Sequence, residues 1–244
     1  MKRQRINFSK NYLNLFSYMI FLIVILHIFG SLINYFNDNL INTNNSDLLM
    51  SDLFKPGQER GYFEHLQYIF LIWSSFLSAY IIFQNKLYLS ISVPLTYLFL
   101  FFDDFYYLHD GVLSNYILKI FEQLKPFNFG SYEQISEITY WLIVGVVFLL
   151  FSIPPFLINS SKNKKFIFDN CKFFLLMSFF GIFVDFFRSF LVINSELILK
   201  DFFAKLFYFV EEVGELTSIA IACIWLYYLA NKIYLKKNDL KRFF

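Results

Sequence analysis

The sequence predicts an all-α fold: a polytopic membrane helix bundle of six transmembrane helices with both termini cytoplasmic. Three observations carry this. Of 244 residues 57% are hydrophobic, 23% aromatic and only 16% charged, with a mean hydropathy of +0.50, whereas a soluble domain holds about 25% charged residues. Six apolar stretches reach the roughly 20 residues that a helix rising 1.5 Å per residue needs to cross a bilayer. The cationic residues gather in alternate connecting segments, as cytoplasmic loops require. Since lipid offers no water to an unpaired backbone, each crossing is expected to be helical.

The elements follow in order. The basic start "MKRQRINFSK" precedes an apolar run over 12–36 that is too long for a cleaved leader and has no small-residue cleavage site, so an uncleaved signal anchor is expected. Further spans are expected at 62–83, 88–110, 135–157, 170–194 and 202–230, forming one integral-membrane domain over 1–244. With the N-terminus inside, Lys2, Arg3, Arg5, Lys10, Lys86, Lys162, Lys164, Lys165, Lys172, Lys232, Lys236, Lys237, Lys241 and Arg242 fall inside, leaving seven of the 21 cations elsewhere. The expected location is therefore the cytoplasmic (inner) membrane. Between spans, 37–61 starts Asn-rich and ends at Pro56-Gly57, while 112–125 spaces Leu113, Tyr116, Ile117, Ile120, Phe121 and Leu124 as an amphipathic helix lying on the outer face.

Charges inside the spans carry the functional signal, because each costs about 2.5–3.5 kcal/mol at mid-helix. The stretch "LFLFFDDFYYLHDG" places Asp103, Asp104, His109 and Asp110 near the outer end of an outward-running helix. Asp185 and Arg188 sit near the outer end of another. Glu64 opens the second span, and Glu211, Glu212 and Glu215 lie in the first half of the sixth. Alternating helix directions bring all of these to one depth. On a helix Asp103 and Asp110 at i, i+7 share a face that Asp104 leaves by about 100°; Glu211, Glu212 and Glu215 form one patch; Asp185 and Arg188 at i, i+3 form an ion pair.

The eight carboxylates so far outnumber Arg188, even with Arg60 and Lys205 nearby, that either several carry protons or the site binds cations. A divalent metal with oxygen ligands meets the requirement. Asp103, Asp104, His109, Asp110, Glu211, Glu212 and Glu215 are the expected metal ligands, Glu64 and His109 the expected catalytic acid–base groups, and Asp185 with Arg188 the charge pair. His65 turns away from Glu64, and His27 stands alone in the first span. Cys171 and Cys223 have no metal or redox spacing. The chain has no H-E-x-x-H, nucleophile elbow or phosphate loop, and no basic-aromatic surface for nucleic acid. Its expected partner is the lipid bilayer. Metal-dependent chemistry on a lipid or membrane-dissolved substrate is the first reading, proton- or cation-coupled transport the second, and a non-catalytic scaffold the third.

Three stretches resemble the motifs of a broad group of uncharacterised bacterial multi-pass membrane proteins. "FLFFDDFYYLHD" is similar to their F-L-x-L-D-E-x-x-x-x-H-E helix, "FVEEVGELTSIAIACIWLYYL" to their later E-E-x-x-E-x-x-G helix, and "ERGYFEHLQYIFLIW" to their E-D-G-x-x-E-x-x-Q opening. The resemblance implies that Glu59, Glu64, Asp103, Asp104, His109, Asp110, Glu211, Glu212 and Glu215 belong to a polar site. The chain departs from the pattern with Arg60 for an acid, Asp for Glu at 104 and 110, and Ser218 for Gly.

Overall fold

In the computed structural model, residues 62–109, 113–124, 132–188 and 200–240 are described, with parts of 17–29; toward several helix ends only the backbone is. Among the described residues the chain is all-helical, without strands. The elements are α1 (Ser17–Leu26), α2 (Tyr62–Asn85), α3 (Ser92–Tyr106), α4 (Leu113–Leu124), α5 (Tyr132–Ser152), α6 (Pro154–Leu157), α7 (Ser161–Ser178) and α8 (Lys200–Leu240). Five helical stretches are long and apolar enough to cross a membrane: Glu64–Asn85, Tyr88–Tyr106, Ile135–Leu157, Ser161–Arg188 and Leu206–Ile233. The remaining expected span, 12–36, lies largely outside the described residues; its described part is α1, whose Ile20 and Val24 are buried.

Packing centres on α2, α3 and α8, which bury Leu71, Ile82, Tyr97, Leu216, Ile219 and Leu226 almost completely. Small side chains let α8 approach closely: Ser218, Ala220, Ala222 and Cys223 are all buried. Without a hydrophobic drive between helices in lipid, such close approach and interhelical hydrogen bonds are the main sources of association. Those bonds are present at the end remote from the acids. Tyr97 donates to Asn170 Oδ1 at 3.0 Å, Ser90 to Asn163 Oδ1 at 2.7 Å and Ser152 to Ser92 at 3.0 Å. Residues that look scattered in the sequence are thus paired across helices.

Two spans depart from expectation. The fifth begins at Ser161 rather than 170: its lysines read as loop, but Lys162 and Lys165 point outward while Asn163, Phe166, Ile167 and Asn170 are buried. The third ends early. Tyr107 takes a left-handed conformation (φ 52°) and caps α3, a conformation uncommon for a non-glycine residue. The helix expected to carry 103 and 110 on one face is thus interrupted at Tyr107, and Asp110 itself lies outside the described residues. So do Glu59, Arg60 and His27, the segment 37–61 and the Lys205 side chain. The expected amphipathic helix within 112–125 is present as α4.

Candidate functional site

Antiparallel alternation of α2, α3, α5, α7 and α8 collects their acids at one end of the bundle. They surround a cavity of about 460 Å³. Seven carboxylates line it (Glu64, Asp104, Glu137, Asp185, Glu211, Glu212 and Glu215) against one guanidinium, Arg188. The expected charge imbalance is therefore present among the described residues; against the eight acids expected, Glu137 joins, Asp103 lies behind the wall and Asp110 falls outside the described residues.

Asp103 is fully buried. The left-handed turn at Tyr107 sends the chain back so that His109 Nδ1 reaches Asp103 Oδ2 at 2.7 Å, while the Tyr140 hydroxyl donates to Asp103 Oδ1. With Asp103 ionised, Nδ1 carries the hydrogen of this bond and Nε2 is the atom His109 can offer a ligand. Asp103, Asp104 and His109 place potential ligand atoms within 4.8 Å of one another. Asp104 Oδ2 accepts from Gln67 at 3.1 Å, and the same amide reaches Glu215 Oε2 at 3.4 Å, so one donor bridges acids of α3 and α8.

Glu64 accepts from Tyr68 at 3.0 Å and from Tyr107 at 3.3 Å. Arg188 donates to Asp185, as its spacing predicts, and also lies 2.9 Å from Glu211 Oε2, with its guanidinium 4.9 Å from the centre of the Tyr208 ring. Glu211 is thereby occupied as a charge partner of Arg188. His65 is exposed, rests against Tyr68 and does not line the cavity.

A π-helical segment, Phe179–Val184, continues α7 and fits it to α8. A β-carbon on Gly181 would collide with the Glu215 carboxylate, and one on Gly214 with the Phe180 ring. Each glycine makes room for a side chain of the other helix, Gly181 for the Glu215 carboxylate and Gly214 for the Phe180 ring. π-bulges of this kind occur often at functional sites.

Sequence reasoning missed Tyr68, Glu137, Tyr140 and the two glycines, and gave no role to Gln67 although it closes the E-D-G-x-x-E-x-x-Q motif. Glu137 carried a usable signal, an acid at the same end of the fourth span. Tyr140 did not, being one of 17 tyrosines. No family model and no curated protein matches the sequence, and no solved structure matches the fold.

Proposed function

We propose that the chain is an inner-membrane protein of six spans, both termini cytoplasmic, whose acidic chamber opens to the outer face and binds a divalent metal for chemistry on a membrane-dissolved substrate. The observation that carries it is the ring of seven carboxylates facing one guanidinium. Tyrosine hydroxyls and the Gln67 amide supply hydrogen bonds but no positive charge, and excess buried charge of one sign calls for a bound cation. Burial of Ile20 and Val24 against the other helices supports a span in the first stretch.

Asp104, Glu215 and His109 Nε2 are the proposed ligands, with Asp103 behind the imidazole in the carboxylate–histidine–metal arrangement that fixes ring orientation. A metal held there would polarise a substrate oxygen or activate a water. Glu64, held by two tyrosines, is the proposed base. The motif resemblance is consistent with this assignment, since Glu64, Asp104, His109 and Glu215 are among its positions. Transport is less well supported, because the polar residues at the opposite end, Ser90, Tyr97, Asn163 and Asn170, are tied to one another.

Elemental analysis of the purified protein tests the reading. A stoichiometric divalent metal is expected, lost in Asp104→Asn combined with Glu215→Gln. Absence of metal from protein titrated with manganese, cobalt and zinc, or its retention by the double variant, refutes it.

A further inference from the structure

The cavity is larger and more mixed in polarity than an ion requires. On α3 its wall runs from Asp104 through Leu100 to Thr96, and on α5 from Glu137 through Val144 to Phe148. At 1.5 Å per residue these are runs of about 12 Å and 16 Å. The acids occupy one end only, and the rest is mainly apolar. About 460 Å³ falls within the range of small-molecule sites.

Gly145 supplies an independent observation. It lines the cavity, yet a β-carbon built on it would meet nothing within 4 Å. Glycines of membrane helices commonly mark close helix approach; here α5 faces open space. Among the described residues α5 packs along α4 and more lightly on α3, without extended contact to α7 or the π-helical segment. Its ring contact with α7, Phe148 on Phe174 at 5.2 Å, lies at the apolar end. The two walls of this cleft are also the thinly packed helices: 17% of the apolar window is buried in each, against 50% in α2 and α8.

We propose that a single-chain amphiphile enters from the membrane between α5 and the π-helical segment, with its head at the acidic ring and its chain against Gly145. This rests on the metal reading for the head's role, but not for the chain's path. The charge of the ring decides the kind of head. Arg188, the one guanidinium among the described lining residues, is already engaged by Asp185 and Glu211, so the cavity offers a phosphate no uncommitted guanidinium or ammonium. An uncharged, oxygen-bearing head such as a hydroxyl or ester can bind without one. The substrate class is thus a neutral long-chain alcohol, ester or amide.

The test is photolabelling of protein in nanodiscs with a monoacylglycerol carrying a diazirine in its chain, alongside the same chain on lysophosphatidic acid. Expected are label on cavity residues of α5 or α7, at least fivefold weaker labelling by the phosphate probe, and at least fivefold loss in Gly145→Leu. Val147→Phe, on the exposed face of α5, should label as wild type. Should Gly145→Leu fold poorly, Gly145→Ala with excess unlabelled monoacylglycerol as competitor reads the same path. Label confined to the exposed face, unchanged labelling in folded Gly145 variants, or equal labelling by the phosphate probe overturns the proposal. Metal content of the same samples separates the two readings: specific labelling of metal-free protein refutes the metal and leaves the amphiphile path standing.

Discussion

Arg188 is the most exposed point of the reasoning, since one guanidinium serves two helices. It pairs with Asp185 on its own helix and with Glu211 on α8, and lies over Tyr208. The side chains are 25%, 18% and 15% exposed for Arg188, Asp185 and Glu211, so the pairs are largely removed from water. Removing one partner of a buried pair costs about 3–5 kcal/mol, because the other charge stays buried and unpaired. Residual exposure lowers this, and loss of the cation–π contact adds about 0.5–1 kcal/mol. Arg188→Gln should therefore destabilise the protein by about 2–4 kcal/mol, which for a chain of this size is a fall in Tm on the order of 5–15 °C. Glu211→Gln in the same chain should recover at least about 1 kcal/mol, the coupling expected of residues in contact. Thermal unfolding of detergent-solubilised protein, followed by tryptophan fluorescence for all four members of the cycle, measures both quantities. A single variant within 0.5 kcal/mol of wild type, or a double variant no more stable than Arg188→Gln, would refute the view that Arg188 neutralises a buried acid of α8.

Four further outcomes are expected. Tyr140→Phe removes one of the two named partners of a fully buried carboxylate and should cost about 1–3 kcal/mol; if Asp103 orients a ligating His109, cobalt affinity measured by calorimetry should also fall about 10–100-fold. Gly181→Ala puts a methyl where the Glu215 carboxylate sits; that group ends a flexible side chain and can swing aside, so thermal stability should change little while cobalt affinity measured by calorimetry falls at least about tenfold. Tyr97→Phe, which loses its bond to Asn170, should cost only about 0.6 kcal/mol, the average for interhelical hydrogen bonds in a membrane, and should leave metal content unchanged. Reporter tags at the N- and C-termini should both be protected from protease in right-side-out cells, whereas an odd number of spans would expose one.

What was legible in the sequence is what depends on local spacing and on the direction of travel. Glu211, Glu212 and Glu215 form one patch because i, i+3 and i, i+4 positions share a helix face, and Asp185 meets Arg188 for the same reason. Convergence of these acids with Glu64 and Asp104 follows from alternating helix directions. What was not legible depends on single backbone angles or on partners far along the chain. Hydropathy does not register the sign of φ at Tyr107, yet that angle interrupts the helix expected to carry 103 and 110 and returns His109 onto Asp103. Tyr140 is 37 residues from Asp103 and indistinguishable in sequence from other aromatic residues. The glycines were readable in part: with only eight in the chain, Gly145, Gly181 and Gly214 inside apolar helices each call for a reason. The structure supplies two reasons, making room for a neighbouring side chain at Gly181 and Gly214 and leaving space at Gly145.

These features also bear on whether the acids serve packing alone. A structural ion network tends toward matched charges, and replacing a buried pair by well-packed apolar residues is often neutral or stabilising. Here the matching is incomplete. Among the described lining residues Arg188 is the one guanidinium and answers two carboxylates, while Glu64, Asp103, Asp104 and Glu215 accept hydrogen bonds that include those from tyrosine, His109 and Gln67 side chains. These four acids are mounted on α2, α3 and α8, the firmly packed part of the bundle, and Gly181 leaves room for Glu215 on the π-helical side. The apolar wall is instead carried by α5 and α7, whose apolar windows are little buried. A geometry that must hold an ion needs fixed ligands, whereas a path for an apolar chain needs walls that can part. Apart from Glu137, Asp185 and Arg188, the packing follows that division: the acids stand on the well-buried helices, and the apolar wall on the thinly packed ones.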